Sequence, residues 1–249
     1  MASTAAVQDG WMARAALRSA AWAEKWFPDA YVFAVLGVVI VALAAMGFGS
    51  TPQATASAFG DGFWSLIPFT MQMAFVVIGG YAVATAPVVA RFIDFLARVP
   101  RTGRGAVVYV GLVSMLASLL SWGFSLVFGG LLVRALARRT ELRMDYRAAG
   151  ASAYLGLGAV WAMGLSSSAA QLQANPASMP PGLVEITGVL PFTETIFLLQ
   201  SIALTSVLIL VSLLIAWLTA PAAGSARTAE DFPGAAQAEP EPVSYTHLT

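Results

Sequence analysis

Long apolar stretches alternate with short polar breaks along this chain, and proline, glycine and arginine concentrate in the breaks. Ala30–Phe48 reads as a first membrane span. Pro28-Asp29 precedes it, with Asp29 as its N-cap, and Gly47, Gly49 and Pro52 close it. Phe63–Ala90 reads as a long second span, interrupted by Pro68, Gly79-Gly80 and Pro87, so it is expected to tilt or kink. Ala148–Leu165 reads as a third span that dissolves into Ser166-Ser167-Ser168, and Ile196–Leu218 as a fourth. Residues 169–195 hold Asn175-Pro176 and Pro180-Pro181-Gly182 and are expected outside, or dipping partly back into the membrane.

The uncharged stretch between Arg104 and Arg134 does not fit this series. It is longer than the ~20 residues of one comfortable span and short for two spans with a turn. Arg91, Arg98, Arg101 and Arg104 precede it; Arg134, Arg138, Arg139, Arg143 and Arg147 follow it. Arginine-rich loops stay cytoplasmic. With both flanks on one side, Gly105–Val133 is expected to enter the membrane and return by the same face, as a re-entrant helical hairpin. All 13 Lys and Arg then lie in segments assigned inside, while Gly49–Gly62, read as an outside loop, has neither. The predicted organisation is a cytoplasmic amphipathic segment at 1–29, a membrane domain at 30–220 and a polar cytoplasmic linker at 221–242.

Composition sets the class. The chain is 58% hydrophobic and 10% charged, where a soluble domain carries about 25% charge. It reads as an all-α, multi-pass integral membrane protein with the bilayer as its solvent. It has no cysteine, which excludes disulfides and thiolate metal sites. No signal-peptide pattern stands out at the N-terminus.

Candidate chemistry lies where apolar helices break. Ser121-Trp122-Gly123-Phe124-Ser125 sits at the middle of the hairpin stretch. Ser121 and Ser125 offer hydroxyls, Gly123 frees backbone N–H groups, and Trp122 offers an apolar wall with one indole donor. Half-helix N-termini supply donors and a positive field to a small carboxylate without a buried Arg or Lys. The same small residues also suit close helix packing. Gly164, Ser166, Ser167 and Ser168 form a second candidate, able to face an anion with N–H groups or a cation with oxygens; the competing reading is a helix end entering a polar loop. Gln72, with Thr70 in the second span, is a secondary candidate that equally suits holding helices together. Asp94 has Arg91 and Arg98 at helical spacing and reads as a surface ion pair; Glu185 and Glu194 read as loop residues. There is no nucleotide-binding glycine loop, no paired intramembrane carboxylate and no catalytic constellation, so an enzyme is not expected.

The run G-D-G-F-W-S-L-I-P-F-T-M-Q-M-A-F-V-V-I-G-G-Y-A-V-A-T-A-P-V-V at Gly60–Val89 resembles the short-chain fatty acid transporter family of the acetoacetate/butyrate permease type. K-W-F-P-D at Lys25–Asp29, S-W-G-F-S-L-V-F-G-G at Ser121–Gly130 and G-L-S-S-S-A-A-Q-L-Q-A-N-P at Gly164–Pro176 resemble it too. The resemblance covers about Lys25 to Pro221. It implies an ion-coupled carrier built from two inverted repeats, each with a hairpin and a broken helix, of which this chain is the first. Its substrate would be a short-chain monocarboxylate, its location a bacterial inner (plasma) membrane, and its coupling ion a proton or sodium. No cofactor, metal or nucleic acid is implied, and a homo-oligomer is left open. A carrier for another organic anion, such as a dicarboxylate, and a non-transporting scaffold subunit are the alternatives; the scaffold requires a continuous helix across Gly105–Val133. The terminal V-S-Y-T-H-L-T, Val243–Thr249, reads as one frame of a transposase end used in sequencing adapters, so the reading frame is expected to be truncated there and His247 is given no function.

Overall fold

The computed structural model describes residues 9–232 apart from 66, 85, 177, 178 and 180, with the side chains at 65, 68, 69, 72, 73, 76, 77, 84, 181 and 183 also outside the description. The described residues contain helices and turns and no strand. They divide into two compact units, residues 15–79 and the remainder from residue 80 onward together with those before 15.

In the smaller unit, α2 (Ala30–Gly47) starts on Asp29, whose carboxylate accepts the Tyr31 N–H at 2.8 Å. No residue of α2 is buried. A helix apolar on every side with no buried residue suits lipid rather than water. Gly49, at φ 101°, turns the chain, and α3 (Pro52–Ser65) follows. Gly49–Gly62, read as a loop, is therefore mostly helical. Pro52 opens the helix, Thr51 Oγ1 accepts the Ala54 N–H at 3.2 Å, and no further breaker comes before Gly60. The long second span is divided as well. α4 (Ile67–Ala84) gives way to α5 (Pro87–Leu96), because Pro87 cannot continue a helix but starts one well. The amphipathic N-terminal segment forms α1 (Trp11–Trp26).

The larger unit is built around a helical hairpin. α6 (Gly103–Leu120) and α7 (Trp122–Ala137) are joined by the single residue Ser121. Thr102 caps α6 by accepting the Gly105 N–H. The feet of the hairpin lie side by side: a Cβ on Gly103 would stand 2.7 Å from the Leu142 carbonyl oxygen, and Arg139 Nη1 donates to the carbonyls of Ala97 and Pro100 at 2.8 and 2.9 Å. The arms run beyond the expected 105–133. At 1.5 Å per residue they are ~27 and ~24 Å long.

The core is the hairpin and what packs on it. Val107 and Val110 of α6, Phe128, Leu132 and Leu136 of α7, Ile93 of α5 and Ala149 of α8 (Tyr146–Ala153) form one buried cluster. Asp145 caps α8 through the Ala148 N–H. The expected third span is α-helical only to Ala153. Gly156–Val160 then winds as a wide π-type turn and Trp161–Met163 as a tight 3-10 turn, before α9 (Ser168–Ala174). α10 (Pro181–Thr187), a 3-10 turn at Phe192–Glu194 and α11 (Leu199–Thr219) complete the unit. Glu185 and Glu194 thus sit on short helical turns. Most of α11 is exposed and apolar, as a lipid-facing helix requires. Ion pairs among the described residues join Arg139 to Glu141 and Arg147 to Asp145; Asp94 makes none with Arg91 or Arg98.

Candidate functional site

Ser121 ends one helix and begins the next. Its backbone is extended (φ −153°, ψ 119°), its N–H donates to Ala117 O, and its hydroxyl and carbonyl accept the N–H groups of Phe124 (3.4 Å) and Ser125 (2.9 Å). One residue thus closes α6 and caps α7.

The tip meets the broken helix directly. The Trp122 N–H donates to Ser166 Oγ at 2.9 Å, and the Leu165 N–H donates to the Leu119 carbonyl at 2.8 Å. Gly164 makes this approach possible: a Cβ there would lie 2.7 Å from Leu119 Cα, Leu119 O and Ser118 O. Only glycine fits a contact that close. Gln171 Nε2 holds the break from the other side by donating to Leu165 O at 2.8 Å. Gly80 of α4 packs against the tip, where a Cβ would stand 3.0 Å from Gly123 O.

The predicted residues separate into those that converge and those that do not. Ser121, Trp122, Gly123, Gly164 and Ser166 share one junction. Ser125 lies one turn inside, fully buried, with its hydroxyl donating to Ser114 O at 2.6 Å. Gly156 covers it so closely that a Cβ would meet the Ser125 hydroxyl. Ser125 therefore ties the arms together. Ser167 is buried and caps α9 through the Ala170 N–H at 3.3 Å; Ser168 is exposed as the first residue of that helix. The Gln72 side chain and Val243–Thr249 lie outside the described residues.

Donor accounting narrows the tip. The first N–H groups of a helix need partners from outside it. Trp122 has Ser166, and Phe124 and Ser125 have Ser121; Gly123 N–H has no acceptor among the described residues. The junction residues Ser121, Trp122, Gly123, Gly164 and Ser166 carry no charged side chain.

The spacing rules pass over Ser114 and Ser118. Both are fully buried in α6 and their hydroxyls have no hydrogen-bond partner. Their signal is two serines four apart in an apolar helix, one face of it. Ser114 Oγ lies where a Cβ of Gly129 would be, so the two arms touch backbone to hydroxyl.

The model of a family described as short-chain fatty acid transporter matches residues 11–231. A Haemophilus influenzae protein provisionally named a short-chain fatty acid transporter is 32% identical over 210 residues, covering 82% of this chain and 46% of its own. One from Escherichia coli K12, named the same way, is 33% identical over 189 residues, covering 76% of this chain and 42% of its own. The chain spans about half the length of the curated relatives it matches. No solved structure matches.

Proposed function

The chain belongs to the short-chain fatty acid transporter family, and from that premise we propose that it forms the first half of a cation-coupled secondary carrier of small monocarboxylates. The carrier works in a bacterial inner membrane, with the arginine-bearing ends of its helices cytoplasmic. It is a transporter and not an enzyme.

The observation that carries this reading is the junction of the hairpin tip with the broken helix, centred on Trp122 N–H and Ser166 Oγ. A backbone that leaves helical geometry at membrane depth is tolerated only where protein or a water-filled cavity satisfies it. Here two such breaks satisfy each other and leave Gly123 N–H at the start of a 16-residue helix. That N–H, the helix dipole and the neighbouring hydroxyls favour one carboxylate. With no fixed positive charge at the site, a second anionic group has nothing to pair with, which favours monoacids over dicarboxylates. A scaffold subunit needs an unbroken helix over Gly105–Val133; the turn at Ser121 supports the carrier. The coupling ion is a proton or sodium, for which this chain offers hydroxyl and carbonyl oxygens.

The test is uptake of labelled butyrate and acetoacetate by proteoliposomes holding the full-length protein, with Gly123→Val and Ser166→Ala at matched reconstitution. Both should lower uptake, Gly123→Val more, because a β-branched side chain blocks the approach to the tip N–H groups. Unchanged affinity and rate in both would place the site elsewhere.

A further inference from the structure

Between the start of α6 and the end of α11 lies a cleft of about 410 Å³ that the transport reading does not use. Arg104, Arg143 and Trp217 line it, together with Thr102, Gly103 and residues 221–224. Arg104 is anchored by donating from Nε to Ala220 O at 3.0 Å, which leaves its Nη groups without a hydrogen-bond partner among the described residues. Arg143 makes no hydrogen bond or ion pair through its side chain there, and it is held at φ 48°, a conformation non-glycine residues seldom adopt. The cause is visible. The 142–143 backbone is pressed against Gly103, where a Cβ would fall 2.8 Å from Arg143 O. The chain accepts that backbone and so sets a second guanidinium on the cleft that Arg104 lines.

We propose that this cleft binds the phosphate headgroup of an anionic phospholipid. Two guanidinium forks match phosphate oxygens in geometry and in charge, and the start of α6 adds potential of the same sign. The acidic group nearby is Asp9, whose carboxylate accepts the Ala222 N–H at 2.7 Å and is offset by Arg14 and Arg104. The lipid source, rather than a soluble phosphate, follows from what adjoins the cleft. Trp217 is half exposed, as aromatic side chains at a membrane interface are. Leu210, Leu214 and Trp217 are spaced four and three apart on one face of α11, each exposed. They make an apolar track leading from the cleft into the depth of the membrane, where an acyl chain would lie.

The test is native mass spectrometry of the full chain, released from vesicles of phosphatidylcholine with and without phosphatidylglycerol. One phosphatidylglycerol should be retained in preference to phosphatidylcholine. Arg143→Asn keeps a residue at home with positive φ and breaks no protein contact, so it leaves the fold intact; Arg104→Gln removes the other fork. Each should weaken retention about fivefold, the factor expected for one arginine near an anionic surface, whereas Arg138→Gln, outside the cleft, should leave it unchanged. Equal retention of the two lipids would overturn the proposal. So would an equal loss in Arg138→Gln, which means a diffuse basic surface, or full competition by inorganic phosphate, which means a soluble ligand.

Discussion

Trp122 and Ser166 are 44 residues apart in sequence, yet the backbone N–H of the first donates to the hydroxyl of the second at 2.9 Å. The first donor of α7 would otherwise be an orphan at the helix start. A side chain from the break in a different helix satisfies it, so the tip and the break hold one geometry together.

Replacing Ser166 with alanine removes this acceptor. The cost should be on the order of 1 kcal/mol, the usual net worth of a hydrogen bond, and more if the N–H stays dry. Ser166→Thr keeps the hydroxyl and should recover much of the loss. Thermal unfolding of the purified protein, run beside butyrate uptake, reads both effects. A wild-type melting temperature in Ser166→Ala would mean that the bond contributes nothing.

Gly164 and Gly130 form a contrast. Gly164→Ala drives a methyl group to within 2.7 Å of the Leu119 backbone and should destabilise by roughly 1–3 kcal/mol, the usual cost of overpacking. Gly130 sits within α7 with nothing near its missing Cβ. Gly130→Ala should therefore stabilise by up to ~1 kcal/mol through helix propensity alone. Opposite shifts in melting temperature are the expected result; a neutral Gly164→Ala would show that the helices separate at no cost.

The feet of the hairpin predict a labelling pattern. Single cysteines at Arg101 and Arg138, both exposed and one at each foot of the hairpin, should react with a membrane-impermeant thiol reagent from the same, cytoplasmic side. Reaction from opposite sides would mean that the stretch crosses the membrane once.

Asp9 predicts an acid-sensitive tether. The Ala222 N–H holds its carboxyl below the ordinary 3.8, helped by Ser225 and by Arg104 and Arg14. A depressed folded value means that the ionised form stabilises the fold. That contribution is fully present above the unfolded value and is lost as pH falls through the folded one. Stability should therefore decline below about pH 4 in wild type, and Asp9→Asn should lose this part of the decline. Melting curves across acidic pH decide it, and identical curves for the two proteins would remove Asp9 from the account.

The breaks are legible in residue order; their internal geometry is not. Ser121 and Gly164–Ser168 stand out because each interrupts an apolar run. By contrast, Gly49–Gly62 reads as an outside loop because it follows Gly47 and holds no Lys or Arg, yet Thr51 and Pro52 start a helix. The third span looked continuous to Leu165, and the wide turn at Gly156–Val160 appeared only in three dimensions.

The membrane class, the reversal of the Arg104–Arg134 stretch and the family are all legible in residue order alone. Lipid imposes the first two through composition and charge placement, which are one-dimensional quantities; the family rests on its motif residues. Which serine makes which contact is set by packing in three dimensions. Ser125 and Ser166 are alike on paper, each a hydroxyl at a helix break. Gly156 seals the first against Ser114, while Gly164 lets the second reach Trp122. That division depends on how closely distant backbones approach, and a missing Cβ reveals its partner only when the partner is in place.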